Sequence, residues 1–162
     1  MMKKFLKILH SLGAIGLMGG YATYLLLALK SSHGTPAELA TSRVSIEMIC
    51  SWLILPSMGL VLMSGLLSIA AHHPFANALW VWIKTVSGLS VFEGTLGIQS
   101  HARTVADLAA KAALGEGDSA ELARQLRTER WGLWFLLFVA LANVVLGIWR
   151  PRLRSDAKKS AA

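Results

Sequence analysis

Four long apolar runs dominate the pattern of hydrophobic and polar positions along this 162-residue chain. They cover about residues 5–29, 46–71, 79–98 and 131–149. Each supplies the roughly 20 residues of helix that a hydrocarbon core of about 30 Å requires. A soluble helical bundle would carry polar faces at a 3.6-residue period, whereas these runs are apolar nearly all round. The pattern predicts an all-α protein, an integral membrane four-helix bundle.

The connections between the runs predict a short helical hairpin outside the bilayer, immediately before the last helix. Residues 104–114 and 120–130 have amphipathic helical patterns, and Gly-Glu-Gly-Asp at 115–118 separates them. Another helix start is indicated by Thr35-Pro36-Ala37-Glu38, with proline in the first turn. We expect that helix to continue directly into the second apolar run.

Composition supports the membrane interpretation and narrows the choice of partner. Hydrophobic residues make up 54% of the chain and charged residues 15%, with a mean hydropathy of +0.53. The net charge of +7 is concentrated near the termini, which favours an anionic lipid bilayer over nucleic acid as the partner. Cys50 is the single cysteine, so an intramolecular disulfide and a CxxC motif are excluded. We take residues 1–154 as one domain and 155–162 as a disordered tail.

The first run has two interpretations. Lys3 and Lys4 precede an apolar segment, as in a signal peptide. However, the segment is longer than the about 7–15 apolar residues of a signal peptide, and no clear small-x-small cleavage site follows. We therefore interpret it as a membrane anchor. Basic residues at both termini predict, by the positive-inside rule, that both lie on the cytoplasmic side of a bacterial inner membrane.

A few ionisable side chains interrupt or flank the apolar runs. They are the candidate functional residues, because a charge inside a bilayer costs roughly several kcal/mol unless a partner stabilises it. Helical geometry and the predicted topology place them at three depths. They are His10, Lys84, His72 and His73 near one membrane edge, Glu47 and His101 near the other, and Glu93 near the middle.

Each candidate also has a purely structural interpretation. The Lys84 side chain can extend to the lipid headgroups. His10 can hydrogen-bond a neighbouring carbonyl or hydroxyl group. Glu93 can be protonated and bonded to Asn143 or to a backbone carbonyl. The two neighbouring histidines in the predicted turn are typical of exposed turn residues.

Small residues predict where the helices approach one another. Gly13, Gly16 and Gly20 fall near one face of the first run, a spacing that favours close helix packing in lipid. Pro56 predicts a kink in the second run and a carbonyl freed for another partner. A transporter function would require a homo-oligomer, built for example on the Gly16 and Gly20 face, because four helices are few to enclose a path.

Three segments, in the same order along the chain, resemble a group of small bacterial integral membrane proteins. They are Lys7-Ile8-Leu9-His10-Ser11-Leu12-Gly13-Ala14, then Leu55-Pro56-Ser57-Met58 through Ser64-Gly65-Leu66, and Trp80-Val81-Trp82-Ile83-Lys84. The group includes an uncharacterised predicted integral membrane protein family of unknown function, which is the nearer match. More distantly, it includes the CopD copper-resistance membrane domain and HemJ, a protoporphyrinogen oxidase.

The resemblance implies a cofactor and two site residues. HemJ-like proteins bind b-type haem and use a first-helix histidine and a lysine after a tryptophan in the third helix, which match His10 and Lys84. One hypothesis is therefore a haem-binding or redox membrane protein. In it His10 is the haem or metal ligand, a second ligand comes from His72, His73 or another subunit, and Lys84 pairs with a propionate. The alternative is a non-enzymatic accessory or copper-handling membrane protein, whose polar residues serve packing and orientation.

Overall fold

The computed structural model describes residues 2–31, 34–70 and 79–149, apart from the side chains at 2–3, 79–80 and 147–149. Within these residues the chain is helical, with no strand, in agreement with the all-α prediction. The helices, in chain order, are α1 (Met2–Ser31), α2 (Pro36–Ile49), a π-helical segment (Cys50–Ile54), α3 (Leu55–Ala70), α4 (Leu79–Ala113) and α5 (Ser119–Trp149).

The predicted helix start before the second run is confirmed. Thr35 is the N-cap of α2, and its hydroxyl accepts a hydrogen bond from the Glu38 backbone N–H at 3.3 Å. The Glu38 carboxylate in turn accepts from the Thr35 N–H at 2.7 Å. This reciprocal capping box satisfies backbone donors that the first helical turn leaves unpaired. From Pro36 the helical segments α2, the π-helical segment and α3 follow one another without a break to Ala70.

Pro56 explains why this long helix changes its winding. Proline has no N–H, so it cannot make the hydrogen bond expected in an α-helix interior. The chain widens into π-helical turns at Cys50–Ile54 just before it, and the Leu55 N–H bonds to the Cys50 carbonyl five residues back. The sequence predicted a kink at Pro56, and the structure has a π-helical segment immediately before it.

The glycine face of α1 is used inside the chain, where it packs against the π-helical segment and α3. A Cβ atom added to Gly13 would lie 2.8 Å from the Ser57 backbone oxygen, and one added to Gly20 would lie 2.6 Å from Ile54 Cγ1. Only glycine permits so close an approach. The Gly16 and Gly20 surface is therefore occupied by this intramolecular contact.

The helical hairpin before the last run is confirmed as a pair of extended helices. α4 and α5 continue far beyond the predicted apolar runs, and they pack antiparallel. Gly115 and Gly117 have φ angles of 77° and 101°, a left-handed conformation that glycine adopts without strain, and they reverse the chain. At about 1.5 Å per residue, the 35 residues of α4 extend roughly 50 Å, well beyond a hydrocarbon core of about 30 Å.

Three stretches of helix are long and apolar enough to cross a membrane: Lys4–Ser31, Pro36–Ala70 and Ser119–Leu146. Much of their apolar surface faces outward. In the second and third of these stretches only 22% of the most apolar window is buried inside the protein. α4 does not meet the same criterion within the described residues, and its apolar run contains both Lys84 and Glu93. Three of the four predicted spans are thus supported by length and composition.

The core lies where α1, the continuous helix from α2 to α3, α4 and α5 meet. Its members are buried side chains spread over all of them, namely Leu17, Tyr21, Tyr24, Ala28, Ile46, Cys50, Ile54, Met58, Val91, Ile98, Ala102, Leu133, Leu136 and Ala140. Large apolar side chains on the opposite faces are exposed, among them Ile15, Trp52, Phe135 and Phe138. Such extensive exposure of large apolar residues is unusual for a protein surrounded by water.

Candidate functional site

His10 is held by α3 through one of its two ring nitrogens. Its Nδ1 lies 3.0 Å from the Val61 carbonyl oxygen and 3.2 Å from Ser64 Oγ. A carbonyl oxygen only accepts hydrogen bonds, so Nδ1 carries the proton when it bonds Val61. In the neutral ring Nε2 is then the unprotonated nitrogen. No hydrogen bond of Nε2 occurs within the part of the chain that the structure describes.

Lys84 lies toward the same end of the bundle as His10. Both side chains are half-buried, and they lie at the end of the bundle where α1 and α4 begin. The structure thus brings together the two residues that were predicted to lie at a similar depth. His72 and His73, the predicted second ligands, lie outside the described residues. We call the group of His10, Ser64 and Lys84 the amino-end cluster.

Glu93 does not make the hydrogen bond to Asn143 that was considered for it. The Ser87 hydroxyl donates to Asn143 Oδ1 at 2.8 Å, and the Asn143 amide donates to the Val139 carbonyl at 3.2 Å. Glu93 instead lies on the exposed face of α4. Ser87 and Glu93 are six residues apart, which at about 100° per residue leaves roughly 120° between their directions around the helix. Glu93 therefore points away from the side on which Ser87 meets Asn143.

Glu47 and His101 lie toward the hairpin end of the bundle. The Glu47 carboxylate is 3.4 Å from Arg103 Nε, and 40% and 60% of the two side chains are exposed, so this ion pair is loose and solvated. Nε2 of His101 is buried and has no hydrogen-bond partner among the described residues. The structure does not bring these two residues together with the amino-end cluster, which lies near the other end of the helices.

The most deeply buried charges were not among the predicted site residues. Arg43 Nη1 on α2 lies 2.5 Å from Glu129 Oε2 on α5, and only 2% and 1% of the two side chains are exposed. The Tyr24 hydroxyl on α1 donates to the other carboxylate oxygen, Oε1. We call Tyr24, Arg43 and Glu129 the hairpin-end cluster. It connects three helices through one carboxylate.

Hydropathy alone missed the hairpin-end cluster because Arg43 and Glu129 flank the apolar runs. Arg43 lies before the second run, and Glu129 lies in the hairpin that was predicted outside the bilayer. Helical periodicity was the signal that could have found them. Arg43 is followed at i+3, i+7 and i+11 by Ile46, Cys50 and Ile54, and Glu129 at i+4, i+7 and i+11 by Leu133, Leu136 and Ala140. All of these residues are buried, so each charge begins a core-facing stripe.

A second cross-helix bond lies about one turn deeper in the core. The Thr95 hydroxyl donates to the Val91 carbonyl at 2.6 Å, so its oxygen is left to accept. The Tyr21 hydroxyl lies 2.5 Å from that oxygen and is therefore the donor. Gln99 and Ser51 form a further polar contact between helices, at 3.3 Å. These two contacts join polar side chains of neighbouring helices.

The chemistry of the two clusters differs. The hairpin-end cluster pairs opposite charges and adds a hydroxyl donor, which compensates the carboxylate for its lost hydration. Arg43 Nε, however, is buried without a partner among the described residues. The amino-end cluster contains an imidazole nitrogen with an available lone pair. Among the described residues, no group of three or more His, Cys, Asp or Glu side chains is arranged to hold a metal ion.

Together the fold and the two clusters define an all-helical chain with apolar outer faces, long helices suited to a membrane, and polar contacts within the bundle. No protein-family profile, no curated protein and no solved structure matches the chain. Its function is therefore inferred from the residues and contacts described above.

Proposed function

We propose that the chain is a small multi-pass protein of the bacterial inner membrane, a four-helix bundle in which α4 also spans the bilayer, as the third span in chain order. α4 packs against α2, α3 and α5, so it lies among helices that are themselves suited to lipid. Val86, Leu89 and Leu96 are exposed on its outer face. Lys84 is half-buried near one end of this helix, where its side chain can reach the headgroups.

In this proposal the interior polar residues stabilise and orient the bundle, and the protein acts as a non-enzymatic membrane component. The observation that carries it is the hairpin-end cluster, where Glu129 receives bonds from Arg43 and Tyr24 on two other helices. Hydrogen bonds and ion pairs between helices can specify packing where lipid supplies no hydrophobic drive between them. The cluster is also sealed from solvent, which leaves no space around the carboxylate for a substrate.

The number of spans can be tested by cysteine labelling in intact cells. In a Cys50→Ser background, Lys4→Cys, Asp118→Cys and Ser160→Cys are probed separately with a membrane-impermeant maleimide. Four spans place both termini on the cytoplasmic side, so we expect labelling of Asp118→Cys alone until the cells are opened. Labelling of exactly one terminus in intact cells would indicate an odd number of spans and would overturn the four-span proposal.

A second candidate function, haem b binding through His10, is supported by the Nδ1 hydrogen bond to Val61. Histidine ligands commonly donate their other ring N–H to a carbonyl, which orients the ring and increases the basicity of the ligating nitrogen. The donor chemistry of His10 therefore fits an axial ligand. His10 lines neither the groove around Trp82, Ser87 and Leu136 nor the groove around Ser31, Leu39 and Trp131. A bound haem would supply one-electron redox chemistry, and Lys84 would pair with a propionate.

Absorption spectroscopy separates the two candidates. Protein purified in detergent from haem-replete cells should show a Soret band if His10 binds haem, and His10→Ala should lose it. Ser64→Ala is the matched control, because it removes a neighbour of Nδ1 but leaves both the Val61 carbonyl and Nε2 in place. A colourless wild-type protein would overturn the haem candidate and leave the non-enzymatic proposal standing.

A further inference from the structure

A groove of about 750 Å³ lies at the hairpin end of the bundle. The exposed apolar surface of the helices, which we call the apolar belt, separates it from the amino-end cluster. One wall is formed near the end of α1 and the beginning of α2, by residues that include Ser31, Gly34 and Leu39. The other wall is a single face of α5. None of the residues of the two clusters lines this groove.

The α5 wall combines two basic and two aromatic side chains at helical spacing. Arg127, Arg130, Trp131 and Trp134 occupy positions i, i+3, i+4 and i+7, so they project from the same face. All four are exposed, with 70% of Trp131 and 48% of Trp134 accessible. Tryptophan and arginine in this order along a helix are typical of the boundary between hydrocarbon and headgroups.

The two arginines differ from their neighbours in having no acidic partner within the described residues. Arg124, one turn earlier on the same helix, makes two bonds of 2.8 Å to the Glu121 carboxylate. Arg103 on α4 pairs with Glu47. The groove therefore presents uncompensated positive charge, which favours an anionic ligand.

The remaining lining favours a ligand that also has an apolar part. Leu39, Leu126 and the two tryptophan rings make much of the groove apolar. The Glu38 carboxylate lies against Gly34 at the rim, so a small free anion meets one negative charge as well as the two arginines. A molecule with an anionic head and an acyl chain satisfies both parts of the surface.

We propose that this groove binds an anionic phospholipid, with Arg127 and Arg130 contacting the phosphate and Trp131 and Trp134 contacting the glycerol and upper acyl chain. This inference depends on the proposed function, because it requires that the hairpin end of the apolar belt lies at a bilayer surface. It assigns the ligand class to a site outside both polar clusters.

Titration of phosphatidylglycerol into the full chain in a neutral detergent, followed by native mass spectrometry, tests the site. The R127Q/R130Q variant should weaken binding roughly 30-fold, since each basic residue near an anionic surface contributes a factor of about five to six. Phosphatidylcholine should bind far more weakly than phosphatidylglycerol. W134A should also weaken binding, although it changes no charge.

The control is R124Q, which removes one positive charge from the same helix outside the groove. It should leave phosphatidylglycerol binding unchanged. Equal weakening by R124Q would show general surface attraction, and equal competition by inorganic phosphate would show a free-anion site; either result overturns the proposal. If the protein needs detergent for extraction but shows no preference among lipids, only the lipid site is refuted. Protein that is released from cell membranes by alkaline carbonate without detergent would refute the membrane function itself.

Discussion

The two polar clusters lie at opposite ends of the same bundle and are built on different principles. At the hairpin end, Arg43, Glu129 and Tyr24 are almost fully buried, and their charges compensate one another. At the amino end, His10 is half-buried and bonded through only one ring nitrogen. The first arrangement is closed to ligands, whereas the second retains an available lone pair.

Because of this difference, we expect the hairpin end to contribute mainly to stability and the amino end to offer a group for ligand binding. A buried ion pair becomes costly when one partner is lost, because the other charge remains in a medium of low dielectric constant. A half-buried imidazole can be replaced at much smaller cost, because its bonds are neutral and water or headgroups are nearby. We therefore expect mutations at the hairpin end to affect folding, and mutations at the amino end to affect ligand binding.

The largest expected effect is that of Glu129→Leu. This change leaves Arg43 buried without its counter-ion and Tyr24 without its acceptor. The free energy of unfolding should fall by about 3–5 kcal/mol, measured by reversible unfolding in mixed micelles. Glu93→Leu is the matched control, because Glu93 is exposed and should tolerate the same change. A loss below about 1 kcal/mol for Glu129→Leu would mean that the cluster contributes little.

The helix contact between the two clusters should give the next largest effect. Gly13→Ala places a methyl group 2.8 Å from the Ser57 backbone oxygen, so α1 and α3 must separate slightly. We expect a loss of about 1–3 kcal/mol in the unfolding free energy. Gly19→Ala, on the same helix with nothing within 4 Å of the added atom, should be neutral or stabilising. Equal effects of the two substitutions would contradict the close packing of α1 on α3.

Substitution of His10 should have a smaller effect on stability. His10→Ala removes the bond from Nδ1 to the Val61 carbonyl, and we expect a loss of about 1 kcal/mol. The measurement is the same unfolding experiment in mixed micelles, with Ser64→Ala beside it. A cost as large as that of Glu129→Leu would remove the distinction between the two clusters.

The exposed pair near the hairpin end should give the smallest effect. Glu47→Gln breaks the 3.4 Å contact with Arg103, but both side chains remain largely in solvent. The expected loss is about 0–1 kcal/mol, and it should decrease further as salt is added. A salt-insensitive loss of several kcal/mol would show that this pair is buried in the native membrane.

Much of the fold was predictable from the sequence, whereas most of the buried polar network was not. The apolar runs predicted the helices, and the Thr35-Pro36 start and the glycines at 115 and 117 predicted where two of them begin or end. His10 and Lys84 lie toward one end of the bundle, as the predicted direction of successive spans implied. Arg43 and Glu129 were not predicted, because each lies just before an apolar run and the two are 86 positions apart in the chain. Their pairing depends on tertiary packing, which local hydropathy does not contain.

The central claim, that Arg43 and Glu129 stabilise the bundle as a pair, is tested most directly by a double-mutant cycle. The unfolding free energy is measured for wild type, Arg43→Met, Glu129→Leu and the double variant. We predict that each single variant loses about 3–5 kcal/mol and that the double variant recovers most of this loss, because no buried charge is left unpaired. Additive losses in the double variant would contradict the account, since they would show that the two residues contribute independently.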